Sequence, residues 1–364
     1  MQEEQKQEVF EETENTTEVA KCPVCGANME YSPNDLALKC PYCGSKKEIN
    51  FGNISVEQSF GKLIQKQDNE WGKETHIYRC NNCGASEVLN RNEIAKICPF
   101  CGTTNVVEVE ELSGVKPNGV VPFLIDVKVA TEKVIAWAKK KLFAPIAFKR
   151  SVKPEGLNGV YSPAFTFDTD TASSYKGRLG KHYTEQRRVN GKTTTVTKTR
   201  WFRVHGNIDI FFDDILVHAS SKIGQQTLDK LQPFDTNKSQ QYSSEFLHGF
   251  VATATERTGE EAWDYAKRII DRKIREAILA RYSYDVVDYL NVETACSKMT
   301  YKYLLLPLYI GHCHWKSKLY NFYVNGHNGK VTGKTPLSVL KVGIVVLVAL
   351  VVVALIVLIF FGGK

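Results

Sequence analysis

Eight of the ten cysteines fall in four Cys-x2-Cys pairs: Cys22/Cys25, Cys40/Cys43, Cys80/Cys83 and Cys98/Cys101. They form two sets of one form, Cys-x2-Cys-x14-Cys-x2-Cys. The flanks match as well: Cys25-Gly26-Ala27 aligns with Cys83-Gly84-Ala85, and Cys40-Pro41-Tyr42-Cys43-Gly44 with Cys98-Pro99-Phe100-Cys101-Gly102. The unit is duplicated. In such a knuckle the backbone amides between the cysteines point at the sulfurs, and the following glycine relieves the turn. Two knuckles complete a tetrahedral four-sulfur shell with no open position for water, so the expected role is structural Zn2+, two ions per chain. The intervening loop sits just under the usual range of about 15–20 residues. Iron in a rubredoxin-like site is the alternative, because CPxCG knuckles also suit iron. The metal stands in for a core that about thirty residues cannot build alone.

Other residue groups invite chemistry less strongly. Residues 176–203 hold nine basic side chains (Lys176, Arg178, Lys181, Arg187, Arg188, Lys192, Lys198, Arg200, Arg203) against Glu185 alone, with Tyr183, Trp201 and Phe202 interleaved. Arg187, Arg188, Lys198, Arg200 and Arg203 are candidate contacts for anionic lipid, an acidic partner or single-stranded nucleic acid, and a solvated hairpin face is the plain alternative. The ribbons themselves are poorly charged for phosphate. Glu30, Asp35 and Lys39 lie in the first, and Glu87, Arg91, Glu93 and Lys96 in the second. GKVTGKT (329–335) lacks the first glycine of a phosphate-binding loop, since Asn328 stands there, and it reads as a turn and linker. His312 and His314 share a strand face without a further evident ligand. Cys296 and Cys313 read as free thiols, and Asp213-Asp214 as structural. With no nucleophile–base set and no open metal position in view, no enzymatic role is expected.

Several elements must position these groups. GVVPFLI (119–125) reads as a strand, and Asp126 caps an amphipathic helix through Val134, Trp137, Ala138 and Leu142, closed by Pro145. Segments 158–168 and 176–212 alternate as strands, with Asn190-Gly191 as a two-residue hairpin turn. SSKIGQQTLDKL (220–231) reads as a short helix ended by Pro233. Thr258 and Glu261 form a capping box for a longer helix with a stripe through Ala262, Ala266, Ile269, Ile270, Ile274, Ala277 and Ile278. YKYLLLPLYI (301–310) and KLYNFYVNG (318–326) close the strand set. Pro122-Phe123 and Pro233-Phe234-Asp235 each precede a helix, a weak sign of internal duplication.

The chain has 364 residues and a net charge of +7, but residues 1–20 hold seven glutamates against Lys6, so the remainder carries +13. That opening is unsuited to a signal peptide and reads as a disordered acidic tail. With no export signal, paired cysteines point to metal in a reducing compartment rather than to disulfides. Val342–Phe361 is apolar throughout and matches a hydrocarbon core of about 30 Å. Lys330, Lys334 and Lys341 precede it and Lys364 alone is basic after it, which places the N-terminal bulk in the cytoplasm of a single-pass cell-membrane protein. The expected fold class is multi-domain: two small β-type four-cysteine zinc ribbons, one α+β globular domain and one C-terminal transmembrane α-helix. The boundaries are tail 1–20, ribbon 21–50, linker 51–78, ribbon 79–112, α+β domain 113–333, basic linker 334–341 and span 342–361.

PFLIDVKVATEKVIAWAKKKLFAP (122–145), TRWFRVHGNIDIFFDDILVHAS (199–220), LHGF (247–250) and FYVNGHNGKVTGKTPLS (322–338), with the ribbons and tail, resemble a family of bacterial zinc-ribbon proteins of the transcription factor IIB-type ribbon class. Its members are often labelled primosomal helicase-like, and some are encoded beside phage-shock protein A. The resemblance carries the metal role onto the eight paired cysteines and brings no catalytic residue. It implies a membrane adaptor that holds a cytosolic protein partner, in envelope stress for some relatives. The alternative is a membrane-tethered nucleic-acid-binding protein, with an enzyme third. No nucleotide-binding loop or motor domain supports the helicase label.

Overall fold

The computed structural model describes residues 20–64, 71, 75–90, 97–104, 106–109, 115–152, 156–189, 192–220 and 222–361, with 64, 90, 189, 192 and 356–361 described by backbone alone. The acidic tail before residue 20, the Asn190-Gly191 turn, Arg91, Glu93 and Lys96, and residues 362–364 lie outside the described residues.

Three short strands, β1 (Glu30–Ser32), β2 (Ala37–Lys39) and β3 (Lys46–Glu48), form the sheet of the first cysteine set. Next come β4 (Gln58–Ser59), α1 (Phe60–Ile64), β5 (Thr75–Cys80), β6 (Ser86–Asn90), β7 (Val106–Val109), β8 (Gly119–Val120), α2 (Val127–Lys139) and α3 (Ile146–Ser151). The body is then built from β9 (Asn158–Val189), β10 (Lys192–His218), α4 (Gln225–Leu231), β11 (Gln240–Gln241), β12 (Val251–Thr253), α5 (Gly259–Leu279), β13 (Val286–Trp315), β14 (Lys318–Asn325), β15 (Val331–Gly333) and α6 (Val339–Phe361).

The alternation expected in 158–168 and 176–212 becomes two very long antiparallel strands that also take in 169–175 and 213–218. β9 has 32 residues and pairs with the 27 of β10 on one side and the 30 of β13 on the other. β13 is central and covered on both faces, as the continuous apolar run through Leu304–Ile310 requires. Leu304, Leu306, Leu308 and Ile310 pack with Cys80, Ala85, Cys98 and Phe100 of the second cysteine set. Leu305 and Tyr309, on the other face, pack with Cys22, Tyr31 and Leu38 of the first set, together with Phe123 and Phe246. The two metal candidates therefore sit on opposite faces of one sheet.

Local signals set the helix ends. Asp126 Oδ1 accepts the Val129 amide at 2.8 Å, and Thr258 with Glu261 makes the reciprocal capping box. In α5, Ala262, Ala266, Ile270, Ile274 and Ile278 are buried against Phe167, Leu179 and Tyr303 of the long strands. Only Gly119–Val120 of the expected strand 119–125 pairs, and α4 begins at Gln225 rather than Ser220.

The expected fold class is corrected. The chain is largely sheet, 44% strand, with six α-helices among the described residues. The second cysteine set is not a β unit beside an α+β domain, since β5, β6 and β7 belong to the same twelve-stranded sheet as the body. The join is β12, parallel to β9 on one edge and antiparallel to β6 on the other. A strand edge left open at β6 would expose unpaired backbone groups, and β12 closes it. Residues 58–59, inside the expected linker, likewise pair with β13.

The membrane expectation is corrected as well. α6 rises from the body at Ser338, whose amide donates to Phe143 O at 2.8 Å, and Lys341 Nζ donates to the carbonyls of Leu142 and Ala144 at 3.0 and 2.9 Å. Among the described residues no helix is long and apolar enough to cross a membrane. The transmembrane span and the single-pass cell-membrane placement drawn from it are not carried forward.

Candidate metal centres

The four knuckles share one backbone plan. In each, the first cysteine's amide donates to the residue five places on (Ala27, Ser45, Ala85 or Thr103) at 2.7–2.9 Å. The glycine amide four places on (Gly26, Gly44, Gly84 or Gly102) returns to that cysteine's carbonyl at 2.8–3.0 Å. All four glycines have φ between +67° and +74°, a left-handed turn that a side chain would strain.

This plan brings the thiols together. Sγ separations are 3.4 Å for Cys22–Cys43 and 3.5 Å for Cys25–Cys40 in the first centre. They are 3.7 Å for Cys80–Cys101 and 3.6 Å for Cys83–Cys98 in the second. Each centre's four sulfurs lie within 4.8 Å of one another. A tetrahedron with metal–sulfur bonds of about 2.3 Å has edges of about 3.8 Å, so both sets fit a four-thiolate metal ion. Among the described residues these are the two groups with such convergence, and His312 with His314 is not a third.

The centres differ in their surroundings. In the first, Cys25 and Cys43 are exposed. The Ser45 hydroxyl, 2.8 Å from Cys22 Sγ and 3.1 Å from Cys43 Sγ, draws both thiols down, Cys22 to about 6. A hydrogen bond that favours the thiolate favours the metal-binding form. In the second, burial pushes Cys83 up to about 11 and Cys98 further still. Burial also opposes ionisation of Cys101, but Asn82 Nδ2 at 3.5 Å and the Thr103 backbone bring it down to about 7.

Residues remote in sequence complete the second centre. The His312 ring packs on Gly102 so closely that a Cβ there would lie 2.4 Å from Nε2. Lys222 Nζ donates to Cys83 O at 2.7 Å. Glu87 is buried beside Cys98, and burial lifts its carboxyl to about 7. Glu87 belongs to the cysteine set itself, whereas no CxxC spacing announces His312 or Lys222, which tertiary packing brings from more than a hundred residues away.

The basic candidates lie on a two-stranded arm. β13 stops pairing with β9 at Gly180; the Lys181 ammonium and the His182 amide still reach Ser283 and Asp285, and beyond them 183–189 and 192–198 pair only with each other. Cross-strand partners share a face, and the register splits the five residues. Arg187, Lys198 and Arg200 lie on one side, opposite Thr194, Tyr183 and Lys181. Arg188 and Arg203 lie on the other, opposite Thr193 and Arg178. Lys198 is ion-paired with Glu185. Arg200 covers a face of Tyr183 at 5.6 Å, and Arg178 covers Trp201 at 5.0 Å.

Two further clusters escaped the sequence reading. Lys302, buried, reaches Asp214 at 3.2 Å and Glu57 at 3.5 Å, while Asp168 accepts the Asp214 amide at 2.7 Å. Asp214 sits at φ +49° in a bulge of β10, so this half of Asp213-Asp214 turns inward. Ser162 Oγ and His218 Nε2 are 2.7 Å apart, within reach of a nucleophile–base pair. Both are buried, and His218 Nδ1 is held by Ser220 O at 2.7 Å, so the pair ties β9 to β10.

Against known proteins, no family model matches the chain and no solved structure matches it. It is similar to the uncharacterized protein YdjG of Bacillus subtilis (strain 168), with 27% identity over 231 residues, covering 63% of this chain and 67% of that protein. The resemblance to transcription factor IIB-type ribbon proteins stands at the level of two four-cysteine clusters compatible with zinc ribbons.

Proposed function

We propose that this protein is a non-catalytic, zinc-dependent scaffold that engages an acidic protein partner through its two-stranded arm. Each four-cysteine set holds one Zn2+ in a closed thiolate shell, which leaves no position for substrate or water and makes the metal a structural clamp. The two clamps lie on opposite faces of the sheet and stiffen the body from which the arm projects.

The observation that carries the reading is the arm itself. Residues 181–188 and 193–198 are exposed on both faces, whereas the adjoining stretches of β10 and β13 bury residues on one face. Two strands without a third have marginal stability of their own. An arm rich in cations and open on every side is suited to a surface that covers it and supplies negative charge. Protein is favoured over nucleic acid because Arg200 and Arg178 already occupy one face of Tyr183 and Trp201. A base-stacking platform needs such faces free.

A photo-crosslinking residue placed at Thr194 of the zinc-loaded chain tests this. The expected capture is a defined protein, lost when Arg187, Arg188 and Arg200 are replaced by glutamine and weakened by salt. Capture of nucleic acid instead, salt-sensitive binding to anionic vesicles in place of protein, or capture indifferent to the three substitutions would overturn the proposal.

A further inference from the structure

On the face that carries the second metal centre, α4, β14 and β15 enclose a cleft of about 740 Å3, with Tyr265 of α5 on one wall. Four lysines line it, Lys222, Lys230, Lys318 and Lys334, and its lining includes no aspartate or glutamate. Lys222 is the one held, by Cys83 O of the zinc knuckle, and its ammonium has two donors left. Among the described residues, Lys230, Lys318 and Lys334 form no ion pair. Arg257 and Arg268 lie over the ring of Tyr265 at 5.0 and 4.9 Å and add to the positive field. Within the cleft, Asn321 Oδ1 is buried with no hydrogen-bond partner. Converging like charges around one concavity repel each other unless an anion joins them.

The segment GKVTGKT, unfit as a phosphate loop by its spacing, takes part differently. Val331–Gly333 is strand β15, and Thr332, Gly333 and Lys334 present themselves to the cleft beside lysines from α4 and β14. The convergence is tertiary, and no sequence motif encodes it.

We propose that this cleft binds a small molecule bearing a polyphosphate group, with the four lysines on the phosphates and Asn321 and the tyrosines Tyr265, Tyr320 and Tyr323 around the rest. The volume lies within the range of about 300–1,000 Å3 usual for small-ligand sites. The cations surround one concavity rather than track a stripe, which separates this site from a nucleic-acid path. Because Lys222 is fastened to the zinc knuckle through Cys83 O, the second metal centre holds one wall of the site in place.

Isothermal titration of the full zinc-loaded chain with tripolyphosphate and with ATP is the test, using inorganic phosphate and sulfate as controls. Saturable one-to-one binding is expected for tripolyphosphate or ATP, weakening with salt, and absent for sulfate. Tighter binding of ATP identifies a nucleotide, and equal binding identifies bare polyphosphate. Replacing Lys318 and Lys334 together by glutamine, both exposed, should lower affinity at least tenfold, and Lys198→Gln on the arm should leave it unchanged. The Cys98→Ser chain, with its second centre empty, should also bind more weakly. No saturable binding to about a millimolar, binding indifferent to the lysine pair, or an oligonucleotide that displaces the probes at lower concentration would overturn the proposal.

Discussion

Alanine at the glycine closing each last knuckle should tell the two metal centres apart. Gly44 and Gly102 occupy equivalent places, at φ +74° and +73°. The left-handed backbone charges any L side chain there about 1–2 kcal/mol. At Gly44 the added Cβ meets nothing within 4 Å, whereas at Gly102 it would lie 2.4 Å from His312 Nε2 and 2.7 Å from Cε1. The His312 ring must then move away from its edge contact with His314, 6.1 Å between centroids. Displacing a packed side chain costs a further ~1–3 kcal/mol. Knuckle folding and metal binding are one equilibrium, and ~1.4 kcal/mol is tenfold in affinity. Gly44→Ala should therefore weaken zinc at the first centre by about tenfold, and Gly102→Ala should weaken the second by about a hundredfold or more. The assay is competition against chelators of graded affinity, with Cys98→Ser or Cys40→Ser used to isolate the centre being read. Adding His312→Ala to Gly102→Ala should bring the loss back to the Gly44→Ala level, a coupling that a double-mutant cycle measures directly. Equal losses at the two centres, or no recovery on removing the ring, would refute the reasoning.

Metal analysis of the purified chain should give two zinc ions, with one lost in Cys40→Ser and one in Cys98→Ser; iron, or a single ion in the unsubstituted chain, counts against the centres as described. His218 should impose an acid limit on stability. Burial draws its ring down to about 4, whereas an unfolded histidine titrates near 6.5, so the unfolded chain takes up the proton first. Its contribution is complete above pH ~6.5 and lost as pH falls towards 4, by at most ~3 kcal/mol. Urea midpoints across that window should fall less steeply in His218→Asn, and an unchanged slope would contradict the assignment. Lys302→Met leaves Asp214 and Glu57 without their buried cation and should cost about 3 kcal/mol in urea unfolding; a loss under ~1 kcal/mol would show the cluster to be solvated.

Much that is local could be read from the sequence alone. The spacing of the paired cysteines and the glycine after each pair specified two four-thiol sites, because a knuckle is closed by residues within five places of one another. Asp126 and the Thr258–Glu261 box named their helix starts for the same reason. The apolar stripe of α5 and the run Leu304–Ile310 announced buried surfaces. The apolar tail likewise forms a helix, α6, but the transmembrane role drawn from it did not carry over.

Tertiary structure decided what those pieces touch. The short strand Val251–Thr253 joins the second cysteine set to the body by pairing with two strands more than sixty places earlier, so that set shares the twelve-stranded sheet while the first keeps a three-stranded sheet of its own. Register settled which of Arg187, Arg188, Lys198, Arg200 and Arg203 share a face. Packing between elements distant in sequence set His312 on Gly102, gathered Glu57, Asp168 and Asp214 around Lys302, and gave four lysines from separate segments one cleft. The reason is physical. Knuckles and caps are satisfied by hydrogen bonds within a single turn, so their residues must be near neighbours in sequence. Strand pairing is satisfied by any edge of matching register, and only the packing of the whole chain selects which edge that is.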